Sequence, residues 1–359
     1  MSHWLMMVVG LVVLTIGADV LVRGASRLAL LAGISPLVVG LTIVAFGTSA
    51  PELAVSVGAE LSGKADIALG NVVGSNIFNV LVILGISALV APLVVNWQLI
   101  RLDVPLMIYA SVLVWLFGRD GILSLWEGSF FVLLIVGYTA FLIMQSRRET
   151  AEEQQKMAEE AGALPPRSSR EWLINPVLIA VGLAMLVFGA NWLVDGATAF
   201  ARSLGVSELI IGLTIVAAGT SLPELATSVV AAIKGERDIA VGNIVGSNIF
   251  NIFCVLGVTT VLAGGDVPVS ATLMAVDVPV MIGVALSCMP VFVCGYIITR
   301  WNGLVWLALY GLYLAGMILH SQGSPAADWV AMFAVEVAVP FVMLLMVFAL
   351  VRSFNQAKT

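Results

Sequence analysis

Two glutamates stand alone in long apolar stretches, and each belongs to the same short motif. Glu52 lies in GTSAPEL (47–53) and Glu224 in GTSLPEL (219–225). A carboxylate in the middle of a bilayer costs at least about 2.5–3.5 kcal/mol and therefore indicates a functional site. No Lys or Arg lies in these stretches, and two neighbouring carboxylates repel one another unless one is protonated or a cation lies between them. One divalent ion, or several sodium ions, would neutralise the pair.

The rest of the motif predicts a cage of oxygen atoms around that ion. Pro51 and Pro223 cannot donate a backbone hydrogen bond, so each leaves a carbonyl free one turn earlier, and the adjoining glycines allow the backbone to bend. Four hydroxyl residues occupy the same turns: Thr48, Ser49, Thr220 and Ser221. A flexible cage of oxygen ligands suits calcium better than magnesium.

A second motif adds further polar groups, as GNVVGSNIFN (70–79) and GNIVGSNIFN (242–251). In each copy a serine and an asparagine four residues apart share one helix face. These residues are Ser75, Asn79, Ser247 and Asn251. Asn76 and Asn248 are expected to point elsewhere, because each residue turns a helix by about 100°. The GxxxG spacing within both copies predicts close helix packing.

The elements that carry these motifs are membrane-spanning helices. Of 359 residues, 60% are hydrophobic and only 11% are charged, which excludes a water-soluble fold of this size. Eleven spans are long and apolar enough to cross a bilayer. They are 4–22, 36–61, 67–90, 102–118, 124–145, 174–194, 208–233, 239–263, 274–299, 302–320 and 328–351. We read the N-terminal stretch as the first span, since no basic residue precedes it as in a signal peptide.

Several function classes lack the residues they need. Three cysteines without a CxxC pair and two histidines at span ends give no ligand set for zinc or haem. No nucleophile–base pair or cofactor motif indicates an enzyme, and no basic patch indicates a nucleic-acid partner. Asp103 and Asp277 each precede Val-Pro and are predicted to cap their helices, with a break in the helix as the alternative.

An internal repeat sets the architecture. The segments from Gly40 and from Gly212 align at an offset of 172, with 31 of 46 positions identical through Gly85. The predicted fold is therefore all-α: two five-helix units, ten core spans in total, and one extra C-terminal helix. We expect a first repeat at 1–146, a cytoplasmic linker at 147–172 that includes a short surface helix, a second repeat at 173–322, and the extra helix and tail at 323–359. Glu336 in the extra helix is expected to be structural or interfacial.

Because five is odd, the second repeat must enter the membrane upside down. With the N-terminus outside, 13 basic residues face the cytoplasm and only 3 face outward, in accord with the positive-inside rule. The linker and the C-terminus are then cytoplasmic. Inverted repeats with paired motifs near the membrane midplane are typical of secondary transporters.

The paired GTSxPEL and GNxxGSNxFN motifs closely resemble the repeats of sodium/calcium exchangers in the cation/calcium antiporter superfamily, most of all the bacterial calcium/sodium antiporters. The resemblance covers roughly residues 1–320. It implies an inner-membrane antiporter that needs no cofactor and moves calcium against sodium by alternating access, with spans 1 and 6 as the mobile pair.

The resemblance also implies the roles of single residues. Glu52 and Glu224 would bind calcium and share sodium sites, and Asn79 matches a polar site residue. The remaining oxygen donors would be the hydroxyls of Thr48, Ser49, Ser75, Thr220, Ser221 and Ser247, and the carbonyls of Ala45 and Ala217. Some relatives carry an acid where this chain has Asn251, so the site here has one fewer titratable group.

Two alternatives stay open. A proton/calcium exchanger of the same fold typically has an acid shortly after the GN of spans 3 and 8, where this chain has Val-Val-Gly and Ile-Val-Gly. A passive cation channel usually gathers its ligands from several subunits around a pore, whereas one chain here supplies both halves of the cage.

Overall fold

The computed structural model describes residues 3–161, 171–204 and 217–321, and these residues are almost entirely helical. The helices are α1 (His3–Ala32), α2 (Pro36–Thr48), α3 (Ala50–Leu61), α4 (Ala65–Val90), α5 (Leu99–Asp120), α6 (Leu125–Ala161), α7 (Glu171–Ser203), α8 (Leu222–Lys234), α9 (Arg237–Leu262), α10 (Leu273–Val293) and α11 (Arg300–Ser321). A single helical turn, Ala217–Gly219, precedes α8.

Within the described ranges, eight helices are long and apolar enough to cross a membrane, or nine if α2 and α3 form one bent span. The helices agree with the predicted spans, except where a span falls on residues that are not described. The first part of predicted span 7 (208–216), the whole of span 11 and Glu336 lie outside the described residues. The acidic stretch after residue 146 does not form a separate surface helix, because α6 continues through it to Ala161.

The proline motifs bend the chain as their sequence predicts. The axes of α2 and α3 meet at 42°, and Ser49 at the junction has φ −81° and ψ 3°. In the second repeat Ser221 adopts nearly the same conformation, with φ −88° and ψ 6°. Each proline follows two residues later at the start of the next helix, where its missing N–H costs nothing. The glutamate therefore lies in the first turn of a helix that begins inside the membrane.

Wide π-helical turns recur at matched positions of the two repeats. One pair begins at the site asparagines (Asn79–Leu84 and Asn251–Leu256), and the other ends at the aspartates (Leu99–Asp103 and Leu273–Asp277). The predicted capping role of the two aspartates is wrong. Both have helical backbone angles and make no side-chain cap bond. Instead, each accepts a 2.8 Å hydrogen bond from a tyrosine hydroxyl, Asp103 from Tyr138 and Asp277 from Tyr313.

Two short antiparallel strand pairs connect the repeats. Strand β1 (Leu93–Val94) pairs with β4 (Ile297–Ile298), and β2 (Ile122–Leu123) pairs with β3 (Val267–Pro268). The loop after α4 thus meets the loop after α10, and the loop after α5 meets the loop after α9. Each pairing joins loops that occupy different places within their repeats. An inverted arrangement requires this crossed pattern, because paired loops must lie on the same side of the membrane.

Helices α1 and α7 pack through glycines. A Cβ added at Gly10 or Gly182 would lie 2.6–2.7 Å from a backbone nitrogen of the other helix, and the same holds at Gly189. The two backbones are therefore in direct contact, as small residues permit in membrane helices.

The helices α4 and α9, which carry the second motif, form the buried centre of the described residues. Gly242 and Gly246 of α9 pack on the α2 backbone at Leu37 and Leu41, which confirms the packing prediction for that copy. For Gly70 and Gly74 of α4 the corresponding segment, 209–213, lies outside the described residues.

Candidate cation site

The two glutamates are buried at the centre of the molecule and are held by crossed hydrogen bonds. The side chains of Glu52 and Glu224 have no solvent exposure. Ser221 donates to Glu52 Oε1 at 3.0 Å, and Ser49 donates to Glu224 Oε1 at 3.3 Å. Each carboxylate thus bonds to the bent turn of the other repeat, three residues before the other glutamate in the sequence. The motifs that are 172 residues apart in sequence form one site.

The predicted hydroxyl residues join this site through contacts between the two repeats. Ser75 Oγ lies 3.1 Å from Ser221 Oγ, and Ser247 Oγ lies 3.5 Å from the Thr48 hydroxyl. The Thr48 hydroxyl also lies 3.3 Å from the carbonyl oxygen of Ala45. Thr220 donates to Asn71 Oδ1 at 3.3 Å, which matches the bond from Thr48 to Asn243 Oδ1 at 3.1 Å. The backbone of Ala217 forms the turn just before Thr220.

Four oxygen atoms at this centre are buried and have no hydrogen-bond donor among the described residues. They are Glu52 Oε2, Glu224 Oε2, Asn79 Oδ1 and Asn251 Oδ1. All four side chains have no solvent exposure. A buried acceptor without a donor costs about 1–3 kcal/mol, and more if it is charged. Two charged and two neutral acceptors, in pairs related by the repeat, are the groups that a bound cation would satisfy.

Asn76 and Asn248 also belong to this centre, so the prediction that they point elsewhere is wrong. Asn79 Nδ2 donates to Asn248 Oδ1 at 3.0 Å, and Asn251 Nδ2 donates to Asn76 Oδ1 at 3.1 Å. Asn76 follows Ser75 directly and so points in a different direction from it. However, residues three apart share a helix face, and Asn76 and Asn79 have this spacing.

The asparagine of each GN dipeptide, Asn71 or Asn243, was not singled out from the sequence, yet its hydrogen bonds support the site. Asn243 Nδ2 donates to Ser228 Oγ at 2.9 Å and reaches the Glu224 carbonyl oxygen at 3.5 Å, while its Oδ1 accepts from Thr48 at 3.1 Å. Asn71 makes the matching bonds to Ser56 and to the Glu52 carbonyl. Each asparagine ties a glutamate-bearing helix to its neighbour and to the opposite repeat. The signal available in the sequence was that both asparagines recur in uncharged spans.

The comparison with known proteins agrees with this geometry. Residues 2–144 and 174–319 match the sequence profile of a family described as sodium/calcium exchanger protein. The chain belongs to this family.

Relatives with assigned names align over most of the chain. The sodium/calcium exchanger MaX1 of Methanosarcina acetivorans is 35% identical over 344 residues, which cover 87% of this chain and 97% of MaX1. The inner membrane protein YrbG of Escherichia coli is 40% identical over 264 residues, covering 73% of this chain and 80% of YrbG. A solved structure of the sodium-calcium exchanger NCX_Mj superposes with a TM-score of 0.73 at 30% identity, covering 88% of this chain and 98% of that one. The chain is thus a multi-pass membrane protein of the exchanger family.

The donor set of this exchanger consists of hard oxygen atoms. Within the described ranges, no group of three or more His, Cys, Asp or Glu residues could hold a metal ion. Neither glutamate has an ion-pair partner among those residues, whereas Asp19 pairs with both Arg23 and Lys234. In this candidate set two carboxylates would supply the charge, while hydroxyl and amide oxygens would supply the remaining contacts. Such a set favours sodium and calcium over transition metals, which prefer nitrogen and sulfur ligands.

Proposed function

We propose that this chain exchanges calcium for sodium across the membrane by alternating access, as a secondary antiporter without a cofactor. The observation that carries the proposal is the pair of fully buried glutamates with one unpaired oxygen each. A buried carboxylate pair without a cationic partner needs a compensating cation. One calcium ion or two sodium ions would supply the same two charges, so the two kinds of ion would compete for one site.

The proposed ligands are the residues that the two motifs bring together. Glu52 and Glu224 would provide the charge, and the amide oxygens of Asn79 and Asn251 would complete the centre. The hydroxyls of Thr48, Ser49, Ser75, Thr220, Ser221 and Ser247 and the carbonyls of Ala45 and Ala217 would supply the outer oxygens. Three facts support this set: the crossed bonds between the bent turns, the unpaired oxygens, and the burial of the centre.

The site also meets a requirement of transport, because its ligands come from both repeats. Alternating access requires that one set of ligands be reached from one side of the membrane and then from the other. Crossed contacts such as Ser221 to Glu52 and Ser49 to Glu224 would keep the ligands of both repeats together while access changes. We further propose that α1 and α7, joined through their glycines, move as one pair.

The orientation in the membrane is part of the proposal. We place the N-terminus outside and the stretch after α6, together with the C-terminus, in the cytoplasm, and we assign the protein to the inner membrane. The charge bias of 13 basic residues against 3 supports this orientation, and the crossed strand pairs support the inversion. Impermeant thiol labelling of single cysteines, on a background without Cys254, Cys288 and Cys294, tests it. Labelling of residues 147–172 from outside the cell would contradict it.

The decisive experiment is calcium-45 uptake into proteoliposomes loaded with sodium, with voltage and pH clamped. Uptake that rises with the outward sodium gradient, and stops without internal sodium, is expected. Uptake that ignores sodium but follows an imposed pH gradient would instead identify a proton/calcium exchanger. Calcium entry with no counter-ion on the other side would identify a passive channel. A Glu52→Gln variant reconstituted in parallel shows whether the uptake passes through the proposed site.

A further inference from the structure

Asn79 and Asn251 carry two of the four unpaired oxygens, and the amide of each is bonded to an asparagine of the other repeat. A terminal amide has an oxygen at one end and an NH2 group at the other, and a half-turn exchanges them. For a cation site the difference is decisive, because the oxygen attracts the ion and the NH2 group repels it. Asn79 and Asn251 present the oxygen, which lies buried and without a donor among the described residues. Something must hold both amides in that orientation when the site is empty.

We propose that Asn76 and Asn248 are positioning residues that fix the polarity of the two site amides; this inference rests on the proposed function. Asn251 Nδ2 donates to Asn76 Oδ1 at 3.1 Å, and Asn79 Nδ2 donates to Asn248 Oδ1 at 3.0 Å. Each positioning residue therefore places an acceptor beside the NH2 group of a site amide. The oxygen of that amide then faces the ion.

On the Asn251 side the polarity is fixed by the backbone. Asn76 Nδ2 donates to the carbonyl oxygen of Asn248 at 3.3 Å. A backbone carbonyl can only accept, so the NH2 group of Asn76 must face it. Asn76 Oδ1 must then face Asn251, and the NH2 group of Asn251 must turn toward Asn76. A fixed acceptor thus determines, through two amides, that Asn251 offers its oxygen to the site.

The orientation of the Asn79 amide is held less strongly. Asn248 Nδ2 donates to the sulfur of Met107 at 3.3 Å, and no backbone acceptor is paired with it among the described residues. Thioether sulfur is a weak acceptor. The matching methionine, Met281, lies 3.6 Å from Asn76 Nδ2, which already has the backbone carbonyl as its partner. Met107 therefore contributes to the orientation of a site amide, whereas Met281 is redundant.

These contacts define a double-mutant test in purified, detergent-solubilised full-length protein, with calcium-45 equilibrium binding as the readout. Asn248→Leu keeps the branched shape but removes the acceptor for Asn79, and we expect calcium binding to weaken by about tenfold, as the loss of one hydrogen bond predicts. In an Asn79→Asp background the same substitution should cost nothing, because a carboxylate presents an oxygen in either orientation. In that background the substitution would also relieve the repulsion between the introduced carboxylate and the amide oxygen of Asn248.

A purely structural role for Asn248 makes a different prediction. Loss of packing would weaken calcium binding by the same factor in both backgrounds, and that result would overturn the inference. An Asn79→Asp protein that folds but binds no calcium would also overturn it, since an oxygen at that place is what the inference requires.

The methionines provide a matched pair of variants with nearly constant volume. Met107→Leu should weaken calcium binding by about threefold, the size expected for a weak hydrogen bond, and Met281→Leu should leave it unchanged. Equal effects of the two substitutions would contradict the inference, and this pair decides the question if Asn248→Leu does not fold. The proposed function fails separately: wild-type protein that binds calcium but shows no sodium-driven uptake would refute exchange and leave the polarity result standing.

Discussion

Replacing Glu224 with glutamine should weaken calcium binding far more than sodium binding. The substitution keeps the shape of the side chain and removes one of the two charges. Ser49 donates to Glu224 Oε1, so the amide oxygen of a glutamine would keep that place and its NH2 group would replace the unpaired Oε2. The variant therefore loses a charge and also presents a donor where the ion needs an acceptor.

The expected size of this effect follows from Coulomb's law. Two unit charges about 4 Å apart interact by about 4 kcal/mol at an effective dielectric constant of about 20. A bound calcium ion would thus lose about 8 kcal/mol and a single bound sodium ion about 4 kcal/mol, so the comparison below is made ion for ion. The cost of burying the carboxylate is common to both ions and cancels in their ratio. The remaining difference of about 4 kcal/mol corresponds to about a thousandfold loss of selectivity for calcium over sodium.

Competition binding measures that ratio directly, by displacing calcium-45 with sodium from wild-type and Glu224→Gln protein. Glu236→Gln is the matched control, since it makes the same chemical change in the turn before α9, outside the site. The control should retain wild-type selectivity. If Glu224→Gln weakens both ions by the same factor, or exchanges calcium at the wild-type rate, the two-carboxylate site is wrong.

Three further predictions follow from the geometry. Gly182→Ala should lower the melting temperature, because a Cβ at Gly182 would lie 2.7 Å from the α1 backbone. Gly137→Ala should not lower it, because a Cβ there meets nothing within 4 Å. Equal melting temperatures of the two variants would contradict the close packing of α1 and α7. Tyr138→Phe should destabilise the fold by about 1–3 kcal/mol, the cost of leaving a buried acceptor without its donor. The effect should exceed that of Tyr313→Phe, because Asp103 is fully buried and Asp277 only partly; denaturant titration of both variants tests the order. Calcium uptake should decrease in mild acid, because protons compete for the two site glutamates. It should be unchanged when potassium replaces an inert cation, because Asn251 is neutral and adds no charge for a further cation; a requirement for potassium would contradict this reasoning.

The sequence predicted two kinds of feature: motifs that occur in both repeats, and groups whose burial in a bilayer costs free energy. Isolated carboxylates in apolar spans are rare because they are costly, so Glu52 and Glu224 could be selected without a structure. The offset of 172 between identical motifs located the second half of the site, and proline chemistry located the bends at Ser49 and Ser221.

Long-range side-chain contacts could not be predicted in the same way. Nothing in the sequence near Asp103 shows that Tyr138, 35 residues later, donates to its carboxylate, and so helix capping was the reasonable local hypothesis. The bonds between Asn79 and Asn248 depend on how α4 and α9 cross, which spacing along one helix does not contain. The role of Asn71 and Asn243 was missed for the same reason, since their partners lie on neighbouring helices and on the opposite repeat.

The crossed contacts between the repeats have a consequence for how the protein is made. Glu52 takes its hydroxyl donor from Ser221, and β1 pairs with a strand at Ile297 and Ile298. While the chain leaves the ribosome, the first five spans therefore enter the bilayer before the groups that complete their site have been synthesised. During that interval Glu52 faces the cost of an unsatisfied carboxylate in lipid. The newly made first repeat is thus the species most exposed to membrane quality control. Glu52 gains its hydrogen-bond donor only when the second repeat has been inserted.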